Sequence, residues 1–228
     1  MIKKLMILKK FFSITILIIA MLNIFLLTGC TNTTSKQKTI IKTTDVALLS
    51  LFTFDGKKES TLGLMNLGHS FLSIENISSD VIKIANVTLA PNETIAIGTW
   101  SISAHFGIWY NVESNYIAEH NKYDGRLSIT TGISLDDMVS ITNYILSHDY
   151  WTPLANCSCF ALNLWNEVAE NSEKLSKPLI YSPSHLAKCM KNFENYEENK
   201  EIITDTNFHY FEGTNPVYYY MDGEYVGI

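Results

Sequence analysis

One arginine, Arg126, is all the guanidinium this chain of 228 residues carries, and the first acidic residue does not come until Asp45. Cysteine is scarce, at four residues, and no internal repeat is visible. The missing acid matters most at the start, where Lys3, Lys4, Lys9 and Lys10 precede an apolar run from Phe11 to Leu27. A basic stretch followed by an apolar one is the pattern of an export signal. Without residues 1–29 the chain keeps 13 basic against 23 acidic side chains, a net charge of −10. That balance excludes a surface built to neutralise phosphates, so no nucleic acid is expected as a partner.

The apolar run closes on Leu27-Thr28-Gly29-Cys30, which resembles the lipobox of bacterial lipoproteins. The resemblance implies cleavage before Cys30 and a thioether from its sulfur to diacylglycerol. The alternative is an uncleaved transmembrane anchor, but 17 residues stand at the short limit for a span. The expected partner is therefore a membrane, reached through lipid on Cys30 at the extracytoplasmic face. Residues 31–44 are mostly Thr, Lys, Ser, Asn and Gln, too polar to bury a core, and read as a flexible tether. One domain is expected from Asp45 to Ile228.

From Val46 to Thr130 the chain is rich in β-branched and aromatic residues, broken by turn formers at Asp55-Gly56, Asn76 to Asp80, Pro91-Asn92 and Asp124-Gly125. The pattern predicts strands over 47–54, 69–75, 81–89, 94–99, 107–113 and 127–130. Their short connections favour an antiparallel sheet. After Gly132 the period becomes helical. Ser134 caps a segment with Asp136 and Asp137 in its first turn, and Leu135, Met138, Val139, Thr142, Ile145 and Leu146 are expected on its apolar face. Further helices are predicted over 156–171 and, capped by Ser182 with Pro183 at the first position, from 183 to about 193. Residues 207–220 read as aromatic strand. The class is α+β, an antiparallel sheet packed against helices.

With Cys30 assigned to lipid, Cys157, Cys159 and Cys189 form an odd set, so at least one thiol should be unpaired. At about 100° per residue, Ala161, Leu164 and Val168 lie within roughly 40° of Cys157, which turns that side chain toward the core. Cys159 falls near about 200°, with Asn163, Asn166 and Glu170, so the two cysteines should not pair. Cys157 also opens its helix, where unpaired N–H groups and the dipole stabilise a thiolate. The plain alternative is an inert buried thiol, and a partner base must decide between them. His69 in Leu67-Gly68-His69-Ser70 is the best candidate, at a strand start where a helix end can approach.

Together, a Gly-His strand and a later Asn-Cys-x-x-Phe helix start resemble the circularly permuted papain-like thiol hydrolases, relatives of NlpC-type cell-wall peptidases and of lecithin retinol acyltransferase. The resemblance covers roughly Leu67 to Asn171. It implies a permuted papain-like fold with the His strand before the Cys helix, Cys157 as nucleophile and His69 as base. It also implies an oxyanion held by N–H groups at the helix start and a third polar group that orients the imidazole. Glu113, from a neighbouring strand, and His105, from a loop, are the two candidates. His185 ranks below His69, since it falls in a helix's first turn where a strand would be needed. No metal is expected, because C-x-C on a helix divides its thiols between two faces, and no cofactor. Tyr218, Tyr219 and Tyr220 either contact a glycan or pack. The expected activity is an amidase or peptidase on cell-wall (peptidoglycan) peptide. A thioesterase or acyltransferase and a non-catalytic binding lipoprotein are the alternatives.

Overall fold

A computed structural model describes residues 37–56 and 68–219. The expected lipobox, with residues 1–36 as a whole, and Leu67 and Tyr220 lie outside the described residues. Eight strands form one sheet in the order β10-β9-β6-β5-β2-β1-β7-β8, with every neighbouring pair antiparallel. Its centre is β1 (Ala47–Phe54), β2 (His69–Asn76), β5 (Thr94–Ile102) and β7 (Leu127–Ile133). β6 (His105–Tyr110), β9 (His209–Glu212) and β10 (Asn215–Tyr218) extend it on one side, and β8 (Glu197–Glu198) on the other. Four helices complete the α+β architecture: α1 (Val112–His120), α2 (Leu135–Ser147), α3 (Cys157–Val168) and α4 (Pro183–Met190).

The local chemistry explains the helix starts. Ser134 accepts from Asp137 N while the Asp137 carboxylate takes the Ser134 N–H, a reciprocal capping box. Asn156 accepts from Cys159 N at 3.1 Å, and Ser182 accepts from His185 N with Pro183 at the first helical position. The central strands are buried almost throughout, so their apolar residues run continuously rather than alternating with polar ones. Some buried hydroxyls pair across strands, as Ser50 and Thr130 do at 2.8 Å.

Several expectations are corrected. The run 81–89 is not one strand but a hairpin of β3 (Ile82–Ile84) and β4 (Val87–Leu89), turned at Ala85 with φ 51°. The strand expected over 107–113 ends at Tyr110. Asn111 takes φ 62°, and the chain enters α1, so Glu113 sits in the first turn of a helix rather than on a strand. Within the strand-like end, His209–Glu212 and Asn215–Tyr218 pair as a hairpin, β9 and β10. On α2 the buried stripe is Met138, Ile141 and Ile145, whereas Leu135, Val139 and Leu146 are more than half exposed. The last three lie some 60–100° around the helix from Met138, outside the width that one stripe can bury.

Residues 37–42, which composition alone places in a flexible tether, make contacts with the fold. Gln37 pairs with the segment after α4 through Gln37 N to Asn192 O and Glu194 N to Gln37 O, and Thr39 is buried. Glu173 Oε1 accepts from Ile40 N at 2.7 Å, and Lys42 meets Glu170. Polar residues here are held by hydrogen bonds, which a hydrophobicity argument does not weigh.

Candidate active site

His69 is the first residue of β2, set there by Gly68, whose φ of +74° lets the chain turn tightly against Phe54 O and Asp55. Strand alternation then sends neighbouring side chains to opposite faces. The His69 ring stacks with Phe71 and meets the tilted Trp100 ring on one side. Ser70 meets Ser158 of α3 on the other, at 3.0 Å. The Cys157 thiol, at the first position of α3, and the His69 imidazole line the same cavity at the rim of the sheet, near enough for each to shift the other's titration. Asn156 caps this helix, so the thiol lies at the end where N–H groups point out of the helix.

The second ring nitrogen is also accounted for. His69 Nε2 is 2.7 Å from Glu113 Oε1, with His69 2% and Glu113 0% exposed. Nδ1 is thus the nitrogen left for Cys157, giving a thiol–imidazole–carboxylate series across α3, β2 and α1. Burial alone would push the imidazole toward its neutral form, but Cys157 and Glu113 outweigh it and raise His69 to about 9. Cys157 moves the other way. Burial opposes its thiolate, yet the adjacent His69 charge, the His69 hydrogen bond, the Ser70 backbone and the Ser158 hydroxyl bring it below its ordinary value. Both directions favour a thiolate facing an imidazolium at neutral pH. Beneath the thiol, a buried hydroxyl chain runs from Ser158 to Ser70, on to Thr53 at 2.9 Å, and ends on Pro183 O at 3.1 Å.

This arrangement opens into a cavity of about 230 Å³ lined by Gly68, His69, Trp100, Trp151, Pro153 and Cys157, together with Thr99, Ser101, Asn156 and Pro183. Cys157 is partly exposed there. A thiolate on the wall of a concave, partly apolar cavity, beside a proton carrier and a helix N-terminus, can attack a carbonyl and stabilise the resulting oxyanion.

No protein-family model, no curated protein and no solved structure matches the chain.

The other candidates stand elsewhere. His105 pairs with Asp149 at 2.7 Å and stacks on Tyr210, so it makes a different ion pair from that of His69. His185, in the first turn of α4, contacts Ser176 O and Cys189. Cys159 faces away from Cys157 into a separate cleft of about 290 Å³ with Tyr144, Phe160 and Asn163, and burial raises its thiol. Cys157 and Cys159 are both free, whereas Cys189 is disulfide-bonded. Tyr219 packs on Trp109, and Tyr218 is half exposed. Among the described residues, no group of three or more metal-capable side chains comes together.

Sequence reasoning missed Trp100, Ser158 and Gly98. Trp100 Nε1 donates to Glu113 Oε1 at 2.7 Å. The β2–β5 register pairs Leu72 with Ile97, and its continuation sets His69 opposite Trp100. Only knowledge of that register would have exposed the pair.

Proposed function

We propose that this chain is a cysteine hydrolase of the amidase or peptidase type, built as a permuted papain-like domain and held by lipid on Cys30 at the outer face of a membrane, where cell-wall peptide is the amide-rich material within reach. The observation that carries this reading is Cys157 and His69 together on the wall of one cavity, with the buried Glu113 carboxylate on the far nitrogen of His69.

In the reaction, His69 holds the proton of Cys157 and the thiolate attacks the carbonyl carbon. N–H groups at the start of α3 receive the charge that develops on oxygen. As the tetrahedral adduct collapses, the C–N bond breaks and the imidazolium protonates the leaving amine, which leaves an acyl thioester on Cys157. A water molecule, deprotonated by His69, then displaces the thiol and releases a carboxylic acid. The net change is amide plus water to acid plus amine. Glu113 orients the imidazole throughout, supports its charge whenever it is protonated, and accepts no proton itself.

One observation favours a second reading, a thioesterase or acyltransferase. The cavity is walled by Trp100, Trp151, Pro153 and Pro183, and its lining includes no charged side chain other than the reacting pair. Incubating isolated cell wall with wild type and with Cys157→Ala separates these readings. New amino termini released by wild type alone support the peptidase. Turnover of acyl thioesters without any release from wall favours the second reading, and equal release by both proteins removes Cys157 from the chemistry.

A further inference from the structure

We infer that Trp100 is a positioning residue for the Cys157–His69 pair, holding the Glu113 carboxylate at the imidazole with its indole N–H while its ring covers one face of His69. This rests on the reading of Cys157 and His69 as nucleophile and base, and goes beyond it by giving the third group a support that no sequence motif announces.

The geometry fixes the direction of each bond. An indole nitrogen donates and cannot accept, so Glu113 Oε1 must be the acceptor in its 2.7 Å contact with Trp100 Nε1. The same oxygen lies 2.7 Å from His69 Nε2. Glu113 Oε2 is buried with no hydrogen-bond partner. The whole orientation of a fully buried carboxylate therefore depends on two donors to one oxygen, one from the base and one from Trp100. The Trp100 and His69 rings lie 4.2 Å apart and tilted by 36°, close enough for the indole face to stabilise an imidazolium. Trp100 is itself held edge-on by Tyr116 of α1 at 5.5 Å, and it lines the cavity into which Cys157 opens.

The groups that face His69 are Cys157 from α3, Glu113 from α1, Trp100 from β5, the Phe71 ring of β2 at 6.0 Å and the Tyr123 ring at 5.7 Å. Of these, Cys157 and Glu113 bring charge. Removing the indole donor while keeping a ring should let the carboxylate swing from the imidazole, so the imidazolium should lose its proton at lower pH.

The test follows the His69 imidazole directly by NMR in histidine-labelled full chain in detergent, assigned by its loss in His69→Asn. Trp100→Phe is expected to lower the His69 titration by about one pH unit, and to add nothing in a Glu113→Gln background. An unchanged titration with only a lower melting temperature would make Trp100 packing alone and overturn the inference, and so would a rise. If Trp100→Phe does not fold, benzothienylalanine at position 100 keeps the bicyclic shape without the N–H and must give the same shift. The readout needs no turnover. Slow alkylation of wild-type Cys157 at pH 6 would sink the hydrolase reading, whatever Trp100 does.

Discussion

Gly98 leaves the space that Glu113 fills: a Cβ built on Gly98 would overlap Glu113 Oε1 and come within 3.3 Å of Trp100 Nε1. The glycine lies mid-strand in β5, where such a residue weakens a sheet unless something must approach closely. Here a buried carboxylate approaches. Gly98→Ala should push Glu113 away from His69, with a loss of about 1–3 kcal/mol in urea unfolding. It should also slow iodoacetamide labelling of Cys157 at pH 6 at least tenfold. An alanine variant with wild-type stability and labelling would show that the carboxylate has room elsewhere.

Hydrolysis should fail on the alkaline side near pH 9. His69 is raised to about 9, and the leaving amine needs its proton, so rate falls as the imidazolium is lost through that value. Glu113→Gln removes one of the groups that raise His69, and the alkaline limb should then move to lower pH. A profile of kcat/KM against pH for both proteins decides it, and an unmoved limb would mean that Glu113 does not support the imidazole.

The two free thiols should separate in reactivity. Cys157 is brought below the ordinary thiol value, mainly by the facing His69 charge overcoming burial, while burial raises Cys159. At about pH 6, where an ordinary thiol reacts slowly, peptide mapping after brief alkylation should find the adduct on Cys157. Faster labelling of Cys159 would contradict the thiolate assignment.

Cys30 and Cys189 compete for one chemistry. Cys189 is disulfide-bonded, Cys157 and Cys159 are free, and the chain has four cysteines. A thioether at Cys30 would leave Cys189 with no cysteine of its own chain to pair with. Mass spectrometry of the membrane fraction should find Cys30 with diacylglycerol. A peptide joining residues 30 and 189 would instead remove the lipid anchor from the proposal.

The sheet was legible where side chains carry strong β preference, and β1 matches its predicted limits of Ala47 and Phe54. The capped helices were legible for a different reason, because Ser134, Asn156 and Ser182 mark their own starts. α1 was hidden. Its entry is Asn111 in a left-handed conformation with no side-chain cap, directly after a strand of aromatic residues, and no local signal separates the two. Cys157 and His69 could be named because a helix start and a strand start are local features. Glu113 was named on the wrong element, and Trp100 not at all, because their meeting depends on a strand register and a turn that only tertiary packing fixes.

The docking of Gln37 beside Phe193 sets a length scale for any anchored form. From Cys30 to Gln37 the chain has seven links, which span at most about 25 Å when fully extended. To Asp45, the expected start of the fold, it would have had fifteen, or about 54 Å. If the chain is anchored at Cys30 as proposed, a link of that length keeps it close to the membrane. With lipid on Cys30, its cavity works in the thin layer next to the head groups, and lengthening residues 31–36 should deepen the zone of wall it can reach.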